Sequence, residues 1–100
     1  MASEIISQYE EVDRVVTGFS SRLGLYIQDM EQNVRNVSSH VSGLARVWEG
    51  SAADNFRQKM LGQLSVLSSS LERAGRLKTE LDSISADLHE AVEELRQAGA

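Results

Sequence analysis

The residues best placed by type and spacing to do chemistry are His89-Glu90-Ala91-Val92-Glu93. A zinc-protease helix begins this way, with two histidines four residues apart on one face and a glutamate between them as general base. Here the second histidine position is held by Glu93. His89 and Glu93 lie one turn apart and could share a metal, but two ligands leave a tetrahedral site incomplete. The alternative, an exposed helical pair contributing about 0.2–0.5 kcal/mol, is the favoured reading. His40 stands beside an apolar run with no recognisable acid-base partner. The serines are numerous, yet none sits in a Gly-x-Ser-x-Gly elbow, and no glycine-rich loop could cradle a phosphate. With no cysteine there is no thiolate nucleophile, thiolate metal site or disulfide. The expectation is a protein that is not an enzyme, with no cofactor, metal or small-molecule substrate.

Charge narrows the partners. The formal net charge is −5 and the ten basic residues are scattered. Phosphate binding needs a positive face, so nucleic acid is excluded as an expected partner and an anionic membrane surface is disfavoured. The N-terminal residues Met1 to Ser7 lack a basic segment followed by a long apolar run, and no stretch reaches the roughly 20 apolar residues of a membrane span. If the protein is exported, the route is expected to read something other than a cleavable N-terminal signal.

The elements that would position these residues are long helices. The absence of proline and the scarcity of aromatic residues suit amphipathic helices better than a layered fold. At steps of three and four the first half reads Ile5, Tyr9, Val12, Val16, Phe19, Leu23, Ile27, Met30, Val34, Val37, Val41, Leu44 and Trp48. The second half reads Ala53, Phe56, Met60, Leu64, Leu67, Leu71, Ala74, Leu77, Leu81, Ile84, Leu88, Val92 and Leu95. That period is helical, and alternation at every second residue is absent. Ser68-Ser69-Ser70 interrupts nothing, because the apolar spacing runs through it. Gly62 and Gly75 are mid-helix costs of up to about 1 kcal/mol each against alanine, offset if they admit a close helix contact.

Between the halves lies Val47-Trp48-Glu49-Gly50-Ser51-Ala52-Ala53-Asp54-Asn55-Phe56, with the only tryptophan. Gly50 can end a helix in the left-handed conformation, and Ser51 can cap the next one at the Asp54 amide. Trp48 and Phe56 flank the turn and could fold over it. One domain over residues 1–100 is expected: a helix over about 3–47, a turn at 48–51, a helix over about 52–95 and a flexible tail at 96–100. The fold class is all-α, an antiparallel helix-turn-helix hairpin. Ile6, Val15, Leu25, Tyr26, Val47, Leu61 and Val66 widen the apolar faces beyond one seam. Either the seam is wide and some of these are simply exposed, or a second hairpin completes a four-helix bundle; the second account is favoured.

The run Trp48-Glu49-Gly50-Ser51-Ala52-Ala53-Asp54-Asn55-Phe56 resembles the signature of the WXG family, the small ESAT-like proteins exported by type VII secretion systems. The motif is central, the chain has the family's length, both flanks are helical, and the small-small-x-x-aromatic extension follows it. The resemblance covers the whole chain. It implies a turn and recognition motif at Trp48, Gly50, Ser51 and Phe56, and an export signal of Tyr-x-x-x-Asp/Glu type at the end of the second helix. The second half has no tyrosine, and His89-x-x-x-Glu93 is the nearest counterpart, in a tail surface of Leu88, His89, Val92 and Glu93. Tyr9-x-x-x-Asp13 fits the string at the other end of the chain.

Two function classes remain. One is a small secreted protein, or secretion-linked partner, of a type VII system that acts by protein–protein interaction as a folded helical dimer. Its partners would be itself or a second WXG-like protein, and a secretion ATPase or equivalent receptor; it would be cytoplasmic before export and secreted without a cleavable signal peptide. The other is a non-exported helical adaptor or chaperone covering the helices of a larger secreted toxin. Membrane lysis ranks below both, because the polar faces are not rich in Lys or Arg.

Overall fold

The computed structural model describes residues 2–44 and 46–99. Two helices make up the fold: α1, Ala2–Leu44 with 43 residues, and α2, Ser51–Gly99 with 49. They pack against each other as a helical hairpin, and there is no strand among the described residues. The three-and-four spacing of the apolar residues and the absence of proline account for both helices, and α2 passes through Ser68-Ser69-Ser70 without interruption.

The link departs from the expected turn. α1 stops at Leu44, three residues short of the expected end at 47. Its last turn carries no basic side chain to offset the carbonyl dipoles, and Gly43 lowers helix propensity there. The Gly43 and Leu44 carbonyls are taken by tighter three-residue bonds, Arg46 N to Gly43 O at 3.2 Å and Val47 N to Leu44 O at 3.1 Å, and Leu44 O also accepts Trp48 N at 2.9 Å in the ordinary four-residue spacing. Gly50 does adopt a positive φ, 111°, but it opens α2 rather than closing α1. Its carbonyl accepts the Asp54 amide at 3.0 Å, which makes Gly50 the N-cap residue. Ser51 is thereby the first helical residue and not the cap. Asp54 keeps the expected place of a carboxylate in the first turn, where Arg57 Nη1 donates to it at 3.2 Å.

α2 runs four residues past the expected end at 95, to Gly99. Two physical terms oppose fraying there. Arg96 is a cation in the last turn, and its Nη2 donates to Glu10 Oε1 on α1 at 3.4 Å.

The hairpin contains two packing units, a terminal unit of Met1–Leu25 with Gly75–Ala100 and a turn unit of Tyr26–Ala74. In the turn unit Val41, Ala53 and Leu64 are buried, all on the expected stripes. In the terminal unit the buried residues are Val92 and, unexpectedly, Ser20. Among the described residues no large side chain is fully buried in either. Ile5, Tyr9, Val12 and Phe19 of the first stripe are exposed, as are Leu77 and Ile84 of the second. Of the widening positions, Val15, Leu25, Tyr26, Val47, Leu61 and Val66 are exposed and Ile6 is half-buried. Two helices share one seam, so a stripe wider than that seam stays wet. Gly62 and Gly75 admit no close contact, since an added Cβ would meet open space at either. The close approach is at Gly24, where a Cβ would come within 2.8 Å of Lys78 Cε.

Candidate recognition groove and aromatic turn

The tail residues singled out by the sequence come together. Leu88, His89, Val92 and Glu93 of α2 line a groove of about 430 Å³ whose other wall is Ser7, Glu10, Asp13 and Arg14 of α1, with Arg96 at the same wall as the tail residues. Their exposures differ, and the difference decides what a partner could touch. Glu93 is exposed and the His89 side chain is 71% exposed, whereas Leu88 is half-buried and Val92 is only 6% exposed. An incoming surface therefore meets His89, Glu93, Glu10, Arg14 and Arg96 first, and Val92 only if the helices part.

Asp13 is the hub of this end. Its side chain is 14% exposed, and it accepts from Ser85 Oγ at 2.5 Å and Thr17 Oγ1 at 3.2 Å on one oxygen while pairing with His89 Nε2 on the other. Thr17 and Ser85 also lie 3.3 Å apart. The Ser85 hydroxyl first, with Thr17 and His89, holds the Asp13 carboxyl below its ordinary value against the opposing effect of burial. A second cluster repeats the pattern seven residues along each helix: Ser20 Oγ donates to Asp82 Oδ1 at 2.5 Å, and Lys78 Nζ reaches Asp82 Oδ2 at 3.0 Å and Ser20 Oγ at 3.3 Å. The Ser20 hydroxyl, followed by Lys78, lowers the Asp82 carboxyl. Gly24 is the position that lets the Lys78 stem pass α1.

A polar column thus runs along the terminal unit beside the half-buried apolar residues Val16, Leu23, Leu81 and Leu88. Asp13, Thr17, Ser20 and Gly24 follow one another at steps of four, three and four on α1, and Lys78, Asp82, Ser85 and His89 at steps of four, three and four on α2. The sequence reading followed the apolar stripes and missed this column. A signal was present, because a small or polar residue at each of four successive heptad-like steps is a stripe in its own right.

In the turn unit Trp48 and Phe56 fold over the turn as expected, with ring centroids 5.6 Å apart and planes tilted by 48°. Both rings are about two-fifths exposed. Gly50 and Ser51 lie between them in sequence and are exposed, Gly50 as the bend and Ser51 as the first residue of α2. Trp48 is anchored by its own amide on Leu44 O, so the ring is held without being enclosed.

No group of three His, Cys, Asp or Glu side chains is arranged to hold a metal ion among the described residues, and among them no helix is long and apolar enough to cross a membrane. Neither family models, nor curated proteins, nor solved structures yield a match to the chain.

Proposed function

We propose that the chain is a small secreted protein, or secretion-linked partner, of a type VII secretion system, acting through protein contacts as a helical dimer. The observation that carries the reading is the setting of the motif: Trp48-Glu49-Gly50 occupies the link between two helices of 43 and 49 residues, with Phe56 against the tryptophan. The exposed stripe residues support it, because Val12, Phe19 and Ile84 leave more apolar surface in water than a solitary hairpin needs. In this reading the secretion ATPase or equivalent receptor reads the groove at His89 and Glu93 together with Glu10 and Arg14, on a helix already formed. The partner is a second copy of the chain or another WXG-like protein.

The test is fractionation of culture medium from strains with and without the secretion ATPase. ATPase-dependent appearance in the medium is the expected result. Retention in the cells of both strains, with co-purification of a larger toxin, would replace the reading by the adaptor or chaperone role. Glu93→Ala, which removes an exposed carboxylate, is expected to cut export while leaving the helical signal unchanged.

A further inference from the structure

We propose that one column of charges on α2 fixes how a second copy of the chain docks: antiparallel, with Lys59 of one copy against Glu94 of the other and Arg73 against Glu80. The inference rests on the dimer of the proposed function and adds its orientation and register. Positions 59, 66, 73, 80, 87 and 94 recur every seven residues along α2 and hold Lys, Val, Arg, Glu, Asp and Glu. All of them are exposed. Among the described residues none of the charged members has an ion pair within the chain. A seven-residue repeat stays on one flank of a helix when the packed seam keeps the same repeat. The seam does so: Met60, Ala74, Leu81, Leu88 and Leu95 are half-buried at that interval, each one residue after a member of the charged column, with Leu67 exposed among them.

The column changes sign about its midpoint, basic towards Ser51 and acidic towards Gly99. A two-fold axis perpendicular to α2 at that midpoint lays each half on the opposite half of a second copy. Lys59 then meets Glu94 and Arg73 meets Glu80, each contact made twice, while Val66 meets Asp87 with no charge opposing it. Charges flanking an apolar seam between helices set partner choice and orientation in this way. Parallel docking in register would instead set every charge of the column against its own copy, which like-charge repulsion opposes.

The same axis suits the apolar residues lying between the charged column and the seam. Phe56, Leu77, Ile84, Ala91 and Ala98 follow a seven-residue repeat there, with Gln63 and Ser70 completing it. Phe56, Leu77 and Ile84 are exposed. This repeat is centred on Leu77, which meets its own copy at the axis, and Phe56 of one copy comes level with Ala98 of the other. The terminal unit has a groove of about 400 Å³ at that level, lined by Tyr9, Ala91, Glu94, Leu95 and Ala98. Its two alanines leave room for a ring, and Glu94 at its edge is the residue assigned to Lys59, three positions from Phe56.

Sedimentation equilibrium on the full chain at low salt, where exposed charges are least screened, tests the register. Lys59→Glu and Glu94→Lys each create two like-charge contacts per dimer, and each is expected to weaken self-association roughly tenfold. Combined in one chain they restore opposite charges across the axis, and the dissociation constant is expected to return to within about twofold of wild type. The two positions stand five heptads apart on α2, so restoration reports a contact between chains. Both are exposed, and circular dichroism should show unchanged helix in all three variants. A combined variant as weak as either single one, or single variants that associate like wild type, would overturn this register and leave the dimer standing. A wild-type chain that stays monomeric would overturn the dimer and the register together.

Discussion

At the scale of single residues, the side chain doing most in the terminal unit is Asp13. Its carboxyl is lowered by Ser85, Thr17 and His89, and Asp82 is lowered in the same direction by Ser20 and Lys78. A carboxylate whose folded value lies below its unfolded value adds stability that is complete above the unfolded value, ordinarily 3.8, and is lost as pH falls through the folded one. Urea denaturation followed by circular dichroism is therefore expected to show a falling midpoint from pH 5 down to pH 3. Asp13→Asn should flatten that fall, and adding Asp82→Asn should flatten it further. Trp48 invites a different estimate. Its ring is 40% exposed and touches Phe56, so Trp48→Ala is expected to cost about 1 kcal/mol, the scale of an aromatic pair. A fully enclosed ring would cost nearer ~3–5 kcal/mol. A denaturation midpoint unmoved by Trp48→Ala would show the ring contributes nothing to the turn.

At the scale of elements, the helices were legible and their ends and mutual face were not. Thirteen positions in each half kept a three-and-four period, and a signal repeated that often survives any single misplaced residue. The link depended on one glycine, and Gly50 satisfies two descriptions equally in sequence: the left-handed stop of a first helix or the bend that opens a second. Only the bond from the Asp54 amide to the Gly50 carbonyl decides between them. The groove was half legible, since Leu88, His89, Val92 and Glu93 stood out by their resemblance to an export motif. The facing residues Ser7, Glu10 and Arg14 of α1 did not, because polar residues on a helix read as a wet face until a second helix is packed beside them. The glycines offer a test of this packing. Gly62→Ala and Gly75→Ala face open space and should each stabilise the chain by about 0.5–1 kcal/mol through helix propensity. Gly24→Ala should gain less, because its Cβ must displace the flexible Lys78 stem from its place beside Ser20 and Asp82. An equal gain at all three sites, read from urea midpoints, would mean that the Lys78 stem does not need the space at Gly24.

At the scale of the whole molecule, the question is where an apolar surface of this extent goes. Val41, Ala53, Leu64 and Val92 are the buried apolar residues among those described, and none of them is a large side chain fully enclosed. Stability of a 100-residue chain comes mainly from apolar burial, and the fraction buried falls steeply for small or thin folds. The polar column of Asp13, Thr17, Ser20, Asp82 and Ser85 sharpens the point: it pairs the two helices of the terminal unit in register while adding little apolar burial, and leaves Val12, Phe19 and Ile84 facing outward. A device that fixes register along one seam and spares an apolar face beside it fits a protein that buries that face against another chain. We therefore expect a homodimer built as a four-helix bundle at micromolar concentration by sedimentation equilibrium, with a melting temperature that rises with protein concentration. Val12→Glu combined with Phe19→Glu changes only exposed positions. It should leave a single hairpin's internal contacts in place yet shift the population to monomer and lower the melting temperature. A wild-type chain that sediments as a monomer at every concentration, with a melting temperature independent of concentration, would rule out self-association; dimerisation restored by a second small helical protein would then assign the same face to a heterologous partner.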